Sequence, residues 1–508
     1  MNTSRITSLL GWALALTLFA SQLLLFRTFF IDDAFITFRY VRQFVAGNGL
    51  VYNIGERVEG YSNFLWVMLL ALPHALGAEL ITTARVLSTA LSIGSLLLTY
   101  HLARSAPYPI LAPIMLAAAG PFGAWAMGGL ETSLFAFLVT ASVAAFIYEE
   151  ERGRGAVSGV LFGLLALARP EGALFFVLAV GFRAWQLLSA SQAQPARIES
   201  RDWLRLAGFI VLFVPHFLWR LSYYGYPLPN TVYAKSMGLH PRVLIEGVYY
   251  LFDGLTALGG PLLLLLPVGI LLFQAKDFRY RFISACCGAY LLFSVVGGGD
   301  WMPMHRFWVH ILPLLVVLVH AGLMKLATLI TPRHAWLVRA SFVSAQIAFL
   351  YYGALNAYIT GFAYSRALET PLESDTASNS WLVYISHNWK RGDVIAAADA
   401  GAIAYVLPLE ARIVDMIGLV DGHIAHLKPQ FPSGLFGRGD GFGKWDIEYI
   451  LNQNPRFIEI GALEQRENGE YFVENTGLRL LVNDPRFRAR YRQVSDKPEL
   501  SGLFERVP

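Results

Sequence analysis

The sequence predicts a polytopic α-helical membrane protein with an α/β domain at its C-terminal end. Three observations predict it. The 508 residues are 55% hydrophobic and 15% charged, with a mean hydropathy of +0.48, too apolar for a soluble chain of this size to clothe in polar faces. Apolar runs long enough to cross hydrocarbon recur through residues 1–362. From residue 363 to residue 508 the pattern changes to short β-type runs alternating with helix-like stretches.

A search for runs of about 17 to 25 apolar residues gives about eleven transmembrane spans. The first, Leu9 to Phe30, contains no convincing small-x-small cleavage site and is read as an uncleaved helix. The others are expected at Thr82–Ala103, Pro109–Met127, Leu130–Tyr148, Ala156–Ala168, Ala173–Leu188, Leu206–Leu221, Leu255–Phe273, Phe282–Val296, Phe307–Ile330 and Ala335–Tyr358. The run Phe64–Leu76 is short and holds Pro73 and His74, which suits an interfacial or re-entrant segment. With that run set aside, Arg104, the Glu149–Arg154 turn, the Arg183–Arg205 loop, Lys276–Arg281 and Lys325–Arg339 fall on one side, which the positive-inside rule makes cytoplasmic. The opposite loops and the C-terminal domain are then expected outside, on a bacterial inner membrane.

Strands are expected at Val394–Ala397, Arg412–Ile417 and Arg456–Ile460, and a helix at Trp445–Asn454. The net charge of +4 is spread over the loops and calls for no nucleic-acid partner; membrane lipid phosphates account for it. Cys286 and Cys287 are adjacent in an apolar run and read as packing residues rather than a disulfide framework.

The chemistry is expected in the first outer loop, at about residues 31–81. Asp32 and Asp33 follow directly on an apolar helix, where two charges are costly unless they meet water, a cation or a substrate. One can act as general base toward an acceptor hydroxyl while the other holds the acceptor, an arginine or a divalent cation, with Mg2+, Mn2+ and Ca2+ all open. A solvated helix-end pair is the competing reading. The loop continues with Arg39, Arg42, Asn53, Glu56, Arg57, Glu59 and Tyr61 and several glycines, more polar and aromatic chemistry than a connector needs. Further polar motifs occupy the other outer loops: Glu131 after Gly128 and Gly129, Arg169 and Glu171 about Pro170, Asn230 and Lys235 after Pro227 and Pro229, and Asp300, His305 and Arg306 after Gly298 and Gly299. A guanidinium at Arg306 suits a lipid phosphate, and snorkelling to ordinary headgroups is its alternative. A plain ion pair in a tight turn is the favoured reading of Arg169 with Glu171, and a helix N-terminal carboxylate that of Glu131.

The run "DDAFITFRYVRQFVAGNGLVYNIGERVEGYSNFLW", followed by "GLETSLF", "ARPEG", "YYGYPLPNTVYAK", "GGGDWMPMHRF" and "DAGAIAYVL", resembles the C-type (GT-C) membrane glycosyltransferases related to the mycobacterial terminal β-(1→2)-arabinofuranosyltransferase. The resemblance implies a polyprenyl-phosphate sugar donor, a glycan or glycoconjugate acceptor, an active site facing out, and transfer of a pentofuranose, with a hexose or aminosugar transferred to lipopolysaccharide or protein as the alternative. It implies catalytic roles for Asp32 and Asp33, with Asp32 the first choice on the acceptor side. Donor-phosphate contacts fall on His305, Arg306, Lys235 and Arg169, and substrate contacts on Arg39, Glu59, Tyr61, Glu131, Glu171, Asn230 and Asp300. Where that family often has an acidic residue after Tyr-Gly, this chain has Tyr226. A secondary transporter is less compatible, because no corresponding pair of Gly/Pro-broken half-helices is present in the sequence. A non-catalytic membrane scaffold would not need the acidic loop.

Overall fold

The computed structural model describes residues 3–189, 197–236, 238, 240–260, 268, 269, 271, 272, 277–330, 344, 351, 380–430, 443–494, 500 and 502–507. Six helices among these are long and apolar enough to cross a membrane: Ile6–Leu25, Leu80–Ala103, Thr132–Arg152, Pro170–Leu188, Ser200–Tyr224 and Arg306–Leu326. The chain is thus a multi-pass membrane protein. Other expected spans take different forms. Pro109–Met127 is two helices, Leu111–Ala118 and Gly120–Met127, separated at Ala119, whose extended backbone precedes Pro121 near the start of the second. Val157–Ala168 forms a helix of only 12 residues. Phe278–Val296 is helical over 19 residues but opens on Arg279 and Arg281. Much of Leu255–Phe273 and nearly all of Ala335–Tyr358 lie outside the described residues. The short run at Phe64 is a 12-residue helix, Phe64–Ala75.

The chain folds as two compact units, each drawn from three stretches of sequence. Unit 1 comprises Met1–Phe29, Ala84–His216 and Val243–Tyr364; unit 2 comprises Phe30–Thr83, Phe217–Arg242 and Ser365–Pro508. The domain limit expected at residues 362 and 363 falls outside the described residues. The loop at about residues 31–81 groups with the C-terminal chain in unit 2, not with the helices of unit 1.

At the centre of unit 1 the Arg306–Ile330 helix packs on Thr132–Arg152, Phe278–Val296, Leu111–Ala118 and Gly120–Met127. Its apolar stretch is 94% buried, against 17% for Ile6–Leu25, which turns leucines outward as a lipid-facing helix does. One end of this unit is fastened by charge. The Glu149 carboxylate, 1% exposed, accepts from the Ser158 amide at 2.9 Å and from Arg205 Nε at 2.7 Å, while Arg201 donates to its carbonyl at 2.7 Å. Gly159 lets two helices touch there: a Cβ on it would collide with the backbone of Arg205.

Unit 2 contains a five-stranded sheet of order β2-β1-β3-β7-β6, formed by β1 (Val394–Ala397), β2 (Arg412–Asp415), β3 (Phe457–Glu459), β6 (Tyr491–Gln493) and β7 (Leu503–Arg506). β1 runs parallel to both β2 and β3, and β7 pairs antiparallel with β3 and β6. β4 (Glu464–Gln465) and β5 (Tyr471–Phe472) form a separate antiparallel ribbon. The runs VIAA, RIVD and FIE are buried almost throughout, as strands covered on both faces are. Ala396, Val414, Ile458 and Phe504 pack with Ile450, Leu478 and Leu481 in one core. Asp446, Asn475 and Asp484 each accept an amide hydrogen bond at the start of the helix they precede.

Candidate active site

In unit 2 the first loop is built into the C-terminal domain. Asp32 and Asp33 form the first turn of the Asp32–Val45 helix, where the helix dipole favours carboxylates. Ala34, Phe35, Phe38 and Val41 fall on its buried side. Asp32 accepts from the Gly401 amide at 2.8 Å with one oxygen and from the Ala402 amide at 2.7 Å with the other. Gly401 must be glycine for this, since a Cβ there would overlap the Asp32 carbonyl and carboxylate.

Arg39, fully buried, donates from Nε to Tyr52 O, from Nη1 to Ala404 O and Pro408 O, and from Nη2 to Leu409 O and Ala411 O. All five guanidinium N–H groups are thereby used on backbone carbonyls, so Arg39 fastens the loop and has no donor left for a substrate. Asn53 presents its amide to the edge of β2, accepting from Ile413 N at 3.1 Å and donating to Ile413 O at 2.8 Å, which satisfies the outer edge of that strand at Ile413. Asn230 likewise donates to the carbonyls of Gly418, Leu419 and Asp421. Tyr61 shares a 3.1 Å hydrogen bond with Tyr224, and Glu59, 4% exposed, lies 3.7 Å from Arg220. Arg39, Asn230 and Tyr61, all expected to touch substrate, are thus bound into the framework of unit 2, and Glu59 is buried beside Arg220. Lys235 closes the Asn230–Lys235 helix, half-buried.

Residues that sequence reasoning passed over complete this acidic group. β2 ends on Asp415, β3 ends on Glu459, and Asp399 lies two residues past the end of β1. Ligand sites in parallel α/β sheets form at the carboxyl ends of strands, and a β-type run closing on an acid was the available signal. Glu459 accepts from the amides of Ala398 at 3.1 Å and Asp399 at 3.2 Å, which shapes the turn carrying Asp399. Burial pushes the Asp32 carboxyl above its ordinary range, and the charges of Asp399 and Asp33 push it further. Asp399 is an exposed residue whose carboxyl stands among neighbouring protein; that desolvation and then the charge of Asp33 raise it too. Glu459 is raised by burial and by Asp399. Crowded acids of this kind hold protons in common, the condition for acid–base chemistry near neutrality.

Among the described residues no three His, Cys, Asp or Glu side chains gather as ion ligands, and both oxygens of Asp32 face amides.

Unit 1 holds the other expected site residues. Glu131 precedes the Thr132–Arg152 helix, and Arg169 bridges it to Glu171. Arg306 forms a two-point pair with Asp300, Nε to Oδ2 at 2.7 Å and Nη2 to Oδ1 at 3.1 Å. Both guanidiniums stand over the Phe307 ring, at 5.7 Å for Arg169 and 5.5 Å for Arg306. Arg306 and Arg169 are therefore neutralised by carboxylates instead of standing as bare cations. His305 Nε2 is 3.2 Å from Asp253 Oδ2, and burial draws its pKa down. Met304 and His305 both have positive φ, 58° and 51°, a strained pair held by the Trp125 Nε1 hydrogen bond to Met304 O at 3.1 Å.

The chain shares its fold with ArnT from Cupriavidus metallidurans. The structure of that protein bound to undecaprenyl phosphate aligns with TM-score 0.54 at 13% identity, over 80% of this chain and 85% of the other. The apo structure aligns with TM-score 0.55 at 12% identity, over 82% and 87%. In sequence the chain is similar to the terminal β-(1→2)-arabinofuranosyltransferase of Corynebacterium glutamicum, 27% identical over 369 residues, 63% of this chain and 51% of that protein. It is 31% identical over 272 residues to the enzyme of the same name from Mycobacterium tuberculosis, 49% of this chain and 42% of that one. The chain thus spans about half or less of the length of these curated relatives. Residues 368–499 match a domain of unknown function, DUF8728. The likeness to GT-C glycosyltransferases read from the motifs is present in both sequence and fold.

The acid group sets a pH dependence. Glu59 is pushed up to about 8 and Asp415 to about 6, each first by burial, and Asp32, Asp399 and Glu459 are also raised. The folded state then binds more protons than the unfolded chain, so their contribution to stability is complete below the ordinary carboxylate pKa and is lost as pH rises through the raised values. Asp399→Asn, which removes one charge from the crowd, should resist this loss: melting followed from about pH 5 to about pH 9 should fall less steeply in the variant than in wild type. Parallel curves would show that the acids do not share charge.

Proposed function

We propose that the chain is a glycosyltransferase that moves arabinofuranose from a polyprenyl phosphate to a hydroxyl of a glycan or glycoconjugate outside the inner membrane. The names of the relatives support the sugar and the enzyme class; the fold shared with ArnT, crystallised with undecaprenyl phosphate, supports the carrier. The observation that carries the reading is the gathering of Asp32, Asp33 and Asp399 in one unit by the docked first loop. Asp32, the first choice from sequence, holds two amides with its oxygens and is the positioning residue; the base is assigned to Asp33, whose charge acts on both Asp32 and Asp399. Asp33 takes the proton of the acceptor hydroxyl as that oxygen bonds to the anomeric carbon. The bond from that carbon to the phosphate oxygen breaks, and the carrier phosphate leaves with the electron pair. Asp399 holds or releases a proton beside it. No step is assigned to a cation.

With purified protein and polyprenyl-phosphate arabinofuranose, Asp33→Asn should lower turnover by about a hundredfold or more with little change in melting, whereas Asp32→Asn should lower both. Full transfer by Asp33→Asn would end this assignment. Faster wild-type transfer from a hexosyl or aminosugar donor would move the reading to that sugar.

In unit 1 the donor phosphate is assigned to Arg306. Asp300 takes its Nε and Nη2 and fixes the guanidinium plane, which orients Nη1. Lysine keeps the charge but loses the fork. Arg306→Lys should raise the donor KM about tenfold and leave the acceptor KM unchanged; a defect confined to the acceptor titration would show that the phosphate is held elsewhere.

A further inference from the structure

Tyr226 stands where the family resemblance anticipates an acid, and unit 2 places it in a cluster that the reaction above does not use. Its ring centroid lies 5.7 Å from that of Tyr233 and 4.4 Å from that of His426, and Tyr233 lies 4.6 Å from His426. The three rings form a compact triangle at the surface: Tyr226 is 48% exposed, His426 is exposed and Tyr233 is half-buried. Beneath them the two carrying segments are fixed. Lys444, 8% exposed, donates to Tyr233 O at 2.6 Å and to Ala425 O at 2.7 Å, and Asn230 binds the chain just ahead of His426 through three carbonyls. His426 Nδ1 is held to Gly422 O at 2.8 Å, which fixes the ring. A buried lysine spent on joining two short helices, Asn230–Lys235 and Gly422–Ala425, holds these aromatics in place before any ligand arrives.

We propose that this triangle is a carbohydrate-binding platform for the acceptor glycan, a deepening of the reading above on which it rests. Sugar rings present C–H faces that pack on aromatic planes, while their hydroxyls need polar partners at the rim. The segment that carries His426 also carries polar groups: Tyr449 hydroxyl donates to Asp421 at 2.8 Å, and His423 pairs with Asp446 at 2.9 Å. A rigid stacking surface set on a loop reads a neutral polysaccharide chain beyond the reacting residue.

The test uses the full chain in detergent with a synthetic arabinofuranosyl tetrasaccharide as probe. Binding is followed by saturation-transfer NMR on the Asp33→Asn background, so that it is read without turnover. Tyr226→Ala should weaken binding about tenfold, with Tyr226→Phe close to the parent because the face is kept. With Asp33 restored, Tyr226→Ala should raise the acceptor KM by a similar factor and leave the donor KM and kcat within about twofold. Equal binding by Tyr226→Ala and its parent would overturn the platform, as would a loss of association with anionic vesicles unaccompanied by any change in tetrasaccharide binding. Wild type that binds the tetrasaccharide but transfers no sugar to it would retain the platform and overturn the transferase reading instead.

Discussion

The bond from the Asp32 carboxylate to the amides of Gly401 and Ala402 is the constraint on which unit 2 depends. It joins the start of a helix at residue 32 to the turn that follows β1, residues far apart in the chain. A carboxyl group that accepts a backbone N–H on each of its oxygens is a strong contact, because both amides would otherwise lack partners. It works only because Gly401 has no side chain. Arg39 and Asn53 repeat the theme, each spending its polar atoms on carbonyls or amides of the C-terminal chain. The first loop is held by many charge-assisted bonds to backbone, and Asp33 is brought among the strand-end acids as a result.

Unit 1 follows a different logic. Its charges are buried in pairs: Arg306 with Asp300, Arg169 with Glu131 and Glu171, Arg205 with Glu149. Such pairs gain little over apolar packing, but removing one member leaves an uncompensated charge in an apolar surrounding. Beside them the strained Met304–His305 backbone is held by the Trp125 indole. The carboxylates also temper the two arginines, so a carrier phosphate held there must compete with partners already in place.

Much of this was legible in the sequence, and the rest was illegible for physical reasons. The strand at Val394–Ala397 was expected with the limits it has, and β2 and β3 fall inside their expected runs, because buried parallel strands carry unbroken apolar residues. Apolar length located the membrane helices, while Ala119–Pro121 broke one where composition alone read straight through. The acid pair was found from its cost at a helix end. The framework contacts of Arg39, Tyr61 and Asn230 are not legible in the sequence, because periodicity reports a residue's own element and not the groups that another part of the chain brings to it. Asp399 was missed for the same reason: an acid after a strand is common, and only its company with Asp33 makes it notable.

The central claim is that Asp32 ties the first loop to the turn after β1 and so assembles the acidic site. Hydrogen exchange at the amides of Gly401 and Ala402 measures this directly, in wild type and in Asp32→Ala, with β3 as an internal reference. The account predicts faster exchange at those two amides in the variant, on the order of tenfold or more, with exchange in β3 little changed. Equal exchange in the two proteins would contradict it, and would mean that the acids of the first loop and of the strand ends do not share a site.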